Sequence, residues 1–172
     1  MLTFWRHGYE TTSISNLTVA MGVTAPTIYT AFGDKRRLFL EAMNLYAGAP
    51  VVLDESISNA PTARDAARLL LMASAEGFTG ETTPPGCLLA SATASGSAAC
   101  ADVQAEVAEV RRRIESTLRL RIEREVVDSS AADALAGMVM AVIQGMSVLA
   151  RDGADRKKLM AIVEQAMRGL TI

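Results

Sequence analysis

Residues 12–32 read TSISNLTVAMGVTAPTIYTAF, and this stretch decides the architecture. Thr12 or Ser13 is a natural N-cap, because a hydroxyl there can accept from an otherwise unpaired backbone N–H. Ile14, Leu17 and Met21 follow at helical spacing and predict an inward face. Gly22 stops that helix in a left-handed turn, Val23 plugs the turn, and Thr24 caps a second helix with Pro26 in its first turn. Ile28 and Ala31 pack the second helix back at a steep angle. A unit of this kind holds its second helix rigid, with the N-terminal end free to enter a major groove. Thr24, Ala25, Thr27, Tyr29 and Thr30 then point outward, where hydroxyls reach phosphates or base edges. The same spacing also fits ordinary short helices linked by glycine in other α-domains.

Working outward, Gly33 stops the second helix and Asp34 caps a third, carrying Leu38, Phe39, Ala42, Leu45 and Tyr46. Lys35 places a cation at its start, beside the helix dipole. Gly48-Ala49-Pro50 breaks it. Pro61 begins another helix with Ala66/Ala67, Leu69/Leu70 and Ala73, and Gly77–Pro85 is a loop. A short helix is expected from Gly86 to Ala94. A long charged one is expected over Asp102–Val127, with Val103, Val107, Val110, Ile114, Leu118 and Ile122 as its stripe. Asp128-Ser129-Ser130 caps Ala131–Arg151, a tight link follows at 152–155, and Arg156–Leu170 closes the chain. The pattern is all-α, without a convincing period-two run. Short glycine-stopped helices give way to longer Ala-rich ones after about residue 47. The expected division is therefore a small unit over 1–47 and a larger helical body over 48–172.

Half of the 172 residues are hydrophobic and the net charge is −2. With a pI near 5.5, the chain as a whole cannot coat nucleic acid by charge, although a local reading surface remains open. One histidine, His7, argues against His-ligated metal sites and His-based catalytic triads. No phosphate-cradling glycine loop, HExxH, GxSxG or paired-carboxylate motif is present, so no catalytic residue, metal or cofactor is expected. Cys87 and Cys100 form no CxxC pair or disulfide framework, which suits a reducing cytoplasm. The N-terminus lacks the apolar run of a signal peptide. The longest apolar uncharged run, Ala134–Ala150, is only at the bottom of the membrane-spanning range and contains Gln144, Gly145 and Ser147, so a membrane partner is not expected.

The stretch FWRHGYETTSISNLTVAMGVTAPTIYTAFGDKRRLFLEAM resembles the N-terminal domain of TetR-type transcriptional repressors. GYETTS, the MGVT turn, TIYTAF and GDKRRLF carry the likeness. It continues through PPGCLLASAT (84–93) and QGMSVLARDGADRKKLMAIVEQAM (144–167). The resemblance implies a homodimeric regulator of double-stranded operator DNA, with a pocket for an unidentified small-molecule inducer in the larger body. Carried over by position, Thr24, Ala25, Thr27, Tyr29 and Thr30 match exposed recognition-helix residues. Lys35 matches a phosphate-contacting lysine, and Thr12 and Ser13 match the helix start on the DNA backbone. The sequence departs from the family in three places. The first helix looks truncated and lacks a basic arm, Thr18 stands where Ala is usual, and Ala25 stands where a basic residue is frequent. Over Met1–Tyr46, Arg6, Lys35, Arg36 and Arg37 face Glu10, Asp34 and Glu41, a net +1 that steers DNA only weakly.

Flexible Met and small Ala side chains suit an apolar pocket, for which Leu71, Met72, Ala75, Phe78, Cys87, Leu88 and Met138 are the candidates. The resemblance assigns the dimer interface to the last two helices, through Leu135, Val142, Gly145, Met146 and Leu149 on one and Leu159, Val163 and Met167 on the other. Cys87 admits two readings, a sensing thiol at a helix start or a small buried hydrophobe. The alternative function is a small-molecule-binding or thiol-sensing helical dimer whose head no longer binds DNA.

Overall fold

The computed structural model describes residues 1–48, 50–93 and 100–170, and Ala49 and Ala94 of the segments read above lie outside them. Among the described residues there are ten helices and no strand. They are α1 (Leu2–His7), α2 (Ile14–Met21), α3 (Ala25–Phe32), α4 (Lys35–Tyr46), α5 (Pro50–Ser58), α6 (Ala63–Phe78), α7 (Leu88–Thr93), α8 (Ala101–Ile122), α9 (Ser129–Arg151) and α10 (Arg156–Gly169). They group into two compact units. The first holds 1–50 together with 88–108, the second 51–87 with 109–172. The smaller unit is thus not one stretch of chain: α7 joins it by packing on α1 and α4.

In the first unit each short helix is started by a side chain. Ser13 Oγ accepts from Asn16 N at 3.1 Å while Asn16 Oδ1 accepts from Ser13 N at 2.9 Å, a reciprocal capping box. Asp34 Oδ1 accepts from Arg37 N at 2.7 Å and starts α4. Leu17 and Ile28 are the buried residues of α2 and α3. They meet Phe4, Trp5, Leu38, Phe39, Ala42 and Met43 in the core of this unit. Phe4 lies edge-on to Phe39 with ring centres 5.3 Å apart, and Trp5 edge-on to Tyr46 at 4.7 Å. Two expected inward residues are not inward. Met21 is exposed at the end of α2, where the chain turns away at Gly22, and Ala31 lies on the outer side of α3.

In the second unit α6 packs against both α9 and α10, and α9 against α10. Ala63, Ala66, Ala67 and Ala75 of α6 and Ala132 and Ala136 of α9 are fully buried, so small side chains bring the backbones close. α6 starts at Ala63, capped by the Thr62 hydroxyl, and not at Pro61. The sequence reading missed α5. Pro50 looked like a break, yet proline is tolerated in the first turn of a helix. α8 ends at Ile122, before the expected Val127. Glu125 N donates to Ile122 O at 2.9 Å in a tightened turn. Glu125 Oε1 sits 2.7 Å from Arg121 Nη1 and accepts from Ala63 N at 2.8 Å. α9 is long and apolar enough to cross a membrane, and it contributes eight residues to the core of this unit.

Candidate nucleic-acid interface

The exposed end of the first unit is built on the turn between α2 and α3. Gly22 adopts φ 66° and ψ 30°, and its N–H closes on Thr18 O. Val23 N also donates to Thr18 O, at 3.2 Å, so the turn is fixed from two consecutive amides. Thr24 caps α3 through its backbone, and its hydroxyl lies 2.9 Å from that of Thr27. Thr24, Pro26, Thr27, Tyr29 and Thr30 are exposed, Ala25 is half-buried and Ile28 is buried. The outward face of α3 is therefore a row of hydroxyls with a small apolar residue near its start. Such a row can donate to and accept from phosphates and base edges, and it carries no charge.

Ser13 is exposed, but its side chain is engaged in the capping box with Asn16. Thr12 is 1% exposed and donates from Oγ1 to Gly8 O at 2.6 Å. Lys35 is half-buried. Its ammonium donates to Tyr9 O and Thr12 O at 3.0 Å each and to Glu10 O at 3.4 Å, and it lies 4.4 Å from the centre of the Tyr9 ring. Arg36 holds Asp102 at 2.7 Å and Glu106 at 3.0 Å, one α8 turn apart. Of the cations counted over this stretch, Arg6 and Arg37 are the exposed ones. Burial pushes the Tyr9 phenol above its ordinary value, with Cys100 and the nearby Asp102 and Asp34 acting in the same direction and Arg36 opposing.

The link from α1 to α2 is not helical, yet carbonyls along it and at the end of α1 are occupied. Ser91 Oγ donates to Trp5 O at 3.0 Å, Thr11 Oγ1 donates to His7 O, Thr12 Oγ1 takes Gly8 O, and Lys35 takes three more. Gly8 is required there. It has φ 82°, and a Cβ would come within 2.9 Å of Ser91 O. Sequence reading missed Tyr9, Ser91 and the Arg36 pairs. Their partners lie far along the chain, and no local pattern announces them.

The remaining predicted residues divide by burial. Leu71, Ala75, Phe78, Cys87 and Leu88 are buried, Met72 is half-buried, and Met138 is exposed. Leu88 belongs to the first unit and the others to the second. Cys87 sits just before α7, with its N–H donating to Ser147 Oγ at 2.9 Å and its carbonyl accepting from Arg151 Nη2 at 3.1 Å. An open groove of about 360 Å³ is lined by Phe78, Thr79, Thr83, Pro85, Arg151, Ala154 and Arg156. Another, of about 350 Å³, runs past Leu149, Asp152 and Lys158. Phe78 and Leu149 are the predicted residues that reach them. On the last two helices, Met146, Leu159, Val163 and Met167 are 0–1% exposed and belong to the core of the single chain. Leu135, Val142 and Leu149 are half-buried, and Gly145 is exposed. Among the described residues no three His, Cys, Asp or Glu side chains gather as a metal site.

Comparison with known proteins agrees with this geometry. Residues 3–42 match the family model of bacterial regulatory proteins of the TetR family, and residues 63–165 match the C-terminal domain of LmrA/YxaF-like transcriptional regulators. The chain is 31% identical to the HTH-type transcriptional repressor ComR of Escherichia coli (strain K12), covering 98% of this chain and 83% of ComR. It superposes with TM-score 0.87 and 32% identity on a cysteine variant of the TetR family transcriptional regulator CifR complexed with 26-base-pair double-strand operator DNA, covering 97% of this chain and 90% of that one. A putative TetR transcriptional regulator from Rhodococcus sp. RHA1 aligns with TM-score 0.64 and 34% identity, over 96% of this chain and 92% of that one. With a capped helix-turn-helix at one end and matches across both halves, the chain belongs to the TetR family of transcriptional regulators.

Proposed function

We propose that this regulator is a cytoplasmic repressor that binds a near-palindromic operator as a homodimer and is released by a small apolar molecule in its C-terminal body. The observation that carries the DNA half is the exposed hydroxyl row of α3, held on a turn fixed by Gly22 and a doubly bonded Thr18 carbonyl. In this reading Thr24, Thr27, Tyr29 and Thr30 touch DNA, Ala25 meets a thymine methyl or the sugar edge, and Ser13 brings the start of α2 to the phosphates. Thr12 acts behind them, through the loop it ties. The homologous repressor and the operator-bound relative support the same reading.

Dimerisation is supported by the outer face of α9. Ala134, Met138, Ala141, Gly145 and Val148 are exposed at successive helical turns, and Met138 and Val148 are 37% and 56% exposed. An apolar stripe of that length on the outer face of a core helix favours a second copy of the same surface about a two-fold axis. Leu135, Val142 and Leu149 flank it. For the inducer, the buried Leu71, Ala75 and Phe78 row of α6 supplies an apolar wall. Release requires the inducer to bind the DNA-free and DNA-bound states unequally.

The test is fluorescence anisotropy with the duplex upstream of the protein's own gene and a scrambled duplex, at two salt concentrations. Selective binding that weakens with salt is the expected result. Equal binding to both duplexes removes autoregulation, and the thiol-sensing dimer without a DNA-reading head becomes the better description.

A further inference from the structure

The ammonium of Lys35 is enclosed by the chain itself. Three carbonyls, from Tyr9, Glu10 and Thr12, receive its three protons, and the Tyr9 ring covers it at 4.4 Å. An ammonium has three donors and no more, so this cage leaves no proton for a phosphate. Tyr9 is itself held by Phe39 of α4, with ring centres 5.1 Å apart, and by Phe4 of α1 at 6.3 Å. The carbonyls belong to the loop that ends at Ser13, the N-cap of α2. Lys35 is the first residue of α4 and follows α3 by only Gly33 and Asp34. One side chain therefore joins the segment leading into the helix-turn-helix to the segment leaving it.

We propose that Lys35 is a positioning residue for DNA reading: its caged ammonium clamps both ends of the α2–α3 pair, fixing the direction of α3, and makes no phosphate contact. The proposal rests on the DNA-binding reading above. It also makes Tyr9 part of the clamp. A compact ammonium suits the cage. A planar guanidinium, with donors spread in a fork, does not, although it binds phosphate at least as well.

Lys35→Met and Lys35→Arg in the full chain separate the alternatives. Amide hydrogen exchange reads the clamp without DNA. Lys35→Met should accelerate exchange over residues 8–17 and leave α9 and α10 unchanged; unchanged exchange over 8–17 overturns the proposal. Anisotropy with the upstream and scrambled duplexes then reads DNA. A lost clamp lowers upstream-duplex affinity at least tenfold, leaves scrambled-duplex binding within about twofold, keeps the salt slope, and is not rescued by arginine. A lost phosphate contact weakens both duplexes alike, reduces the salt slope by about 0.9, and is rescued by arginine, which overturns the proposal. If the wild-type chain itself does not discriminate the duplexes, the DNA-binding reading fails and the reading role of Lys35 falls with it, while exchange still decides the clamp.

Discussion

Gly22 and Tyr9 illustrate two ways in which one residue controls the head. Gly22 has φ 66° with nothing within 4 Å of where a Cβ would be. The cost of Gly22→Ala is then purely conformational, about 1–2 kcal/mol for a left-handed L-residue. Chemical denaturation should return that loss, and a much larger one would contradict the open space. Tyr9 makes a pH prediction. Its phenol is raised by burial first, so above about pH 10 the unfolded chain gives up the proton before the folded chain does. The folded state then binds more protons, and stability falls as pH rises from there through the folded value. Below that window Tyr9 contributes no slope. Tyr9→Phe should flatten the loss of melting temperature above pH 10 and leave the profile at pH 6–8 unchanged in shape. An equally steep alkaline loss in the variant would show that another group is responsible.

Among the elements, the end of α8 is where a buried charge does structural work. Arg121 is 5% exposed and donates from Nε to Ala60 O at 3.0 Å and from Nη2 to Pro61 O at 2.8 Å. Glu125 balances it and also accepts from Ala63 N, while Arg124 donates to Ser58 O at 2.8 Å. Together they clasp the turn from α5 to α6. Arg121→Met keeps the stem but leaves two carbonyls without their donor, while Glu125 keeps the Ala63 amide. A loss of about 1–3 kcal/mol is expected from denaturant titration, as for buried acceptors left unsatisfied, since the part-exposed Glu125 carboxylate can hydrate. A loss under 1 kcal/mol would mean that water replaces the guanidinium. Caps made α2, α4, α9 and α10 legible in the sequence, because Ser13, Asp34, Asp128 and Asp155 each bond an amide two or three residues on. The end of α8 was not legible. Glu125 looked like one more helical residue, and its partners Ala60, Pro61 and Ala63 lie some sixty positions earlier.

For the whole molecule, the question is which apolar surface stays uncovered. α9 presents Ala134, Met138, Ala141, Gly145 and Val148 outward while Met146 points into the chain's own core. Val148→Glu places a charge on the stripe and should shift the sedimenting species from dimer to monomer at micromolar concentration, with helicity retained. Met146→Ala should instead cost about 2–5 kcal/mol of stability through a core cavity and leave assembly unchanged. The reverse pattern would put the interface elsewhere. The sequence by itself determined most of the helices, the glycine stops of the short ones and the helix-turn-helix, because capping and periodicity act over a few residues. It also determined the family, since the motifs run through both halves. It did not determine α5 or the end of α8. Only the tertiary structure decided which apolar rows are core and which face outward, as between Met146 and Met138. It alone decided that Lys35 and Arg36 are occupied within the chain. Helical spacing places residues on a face, but the neighbour that covers the face, or the carbonyls and carboxylates that take up a charge, come from distant parts of the chain.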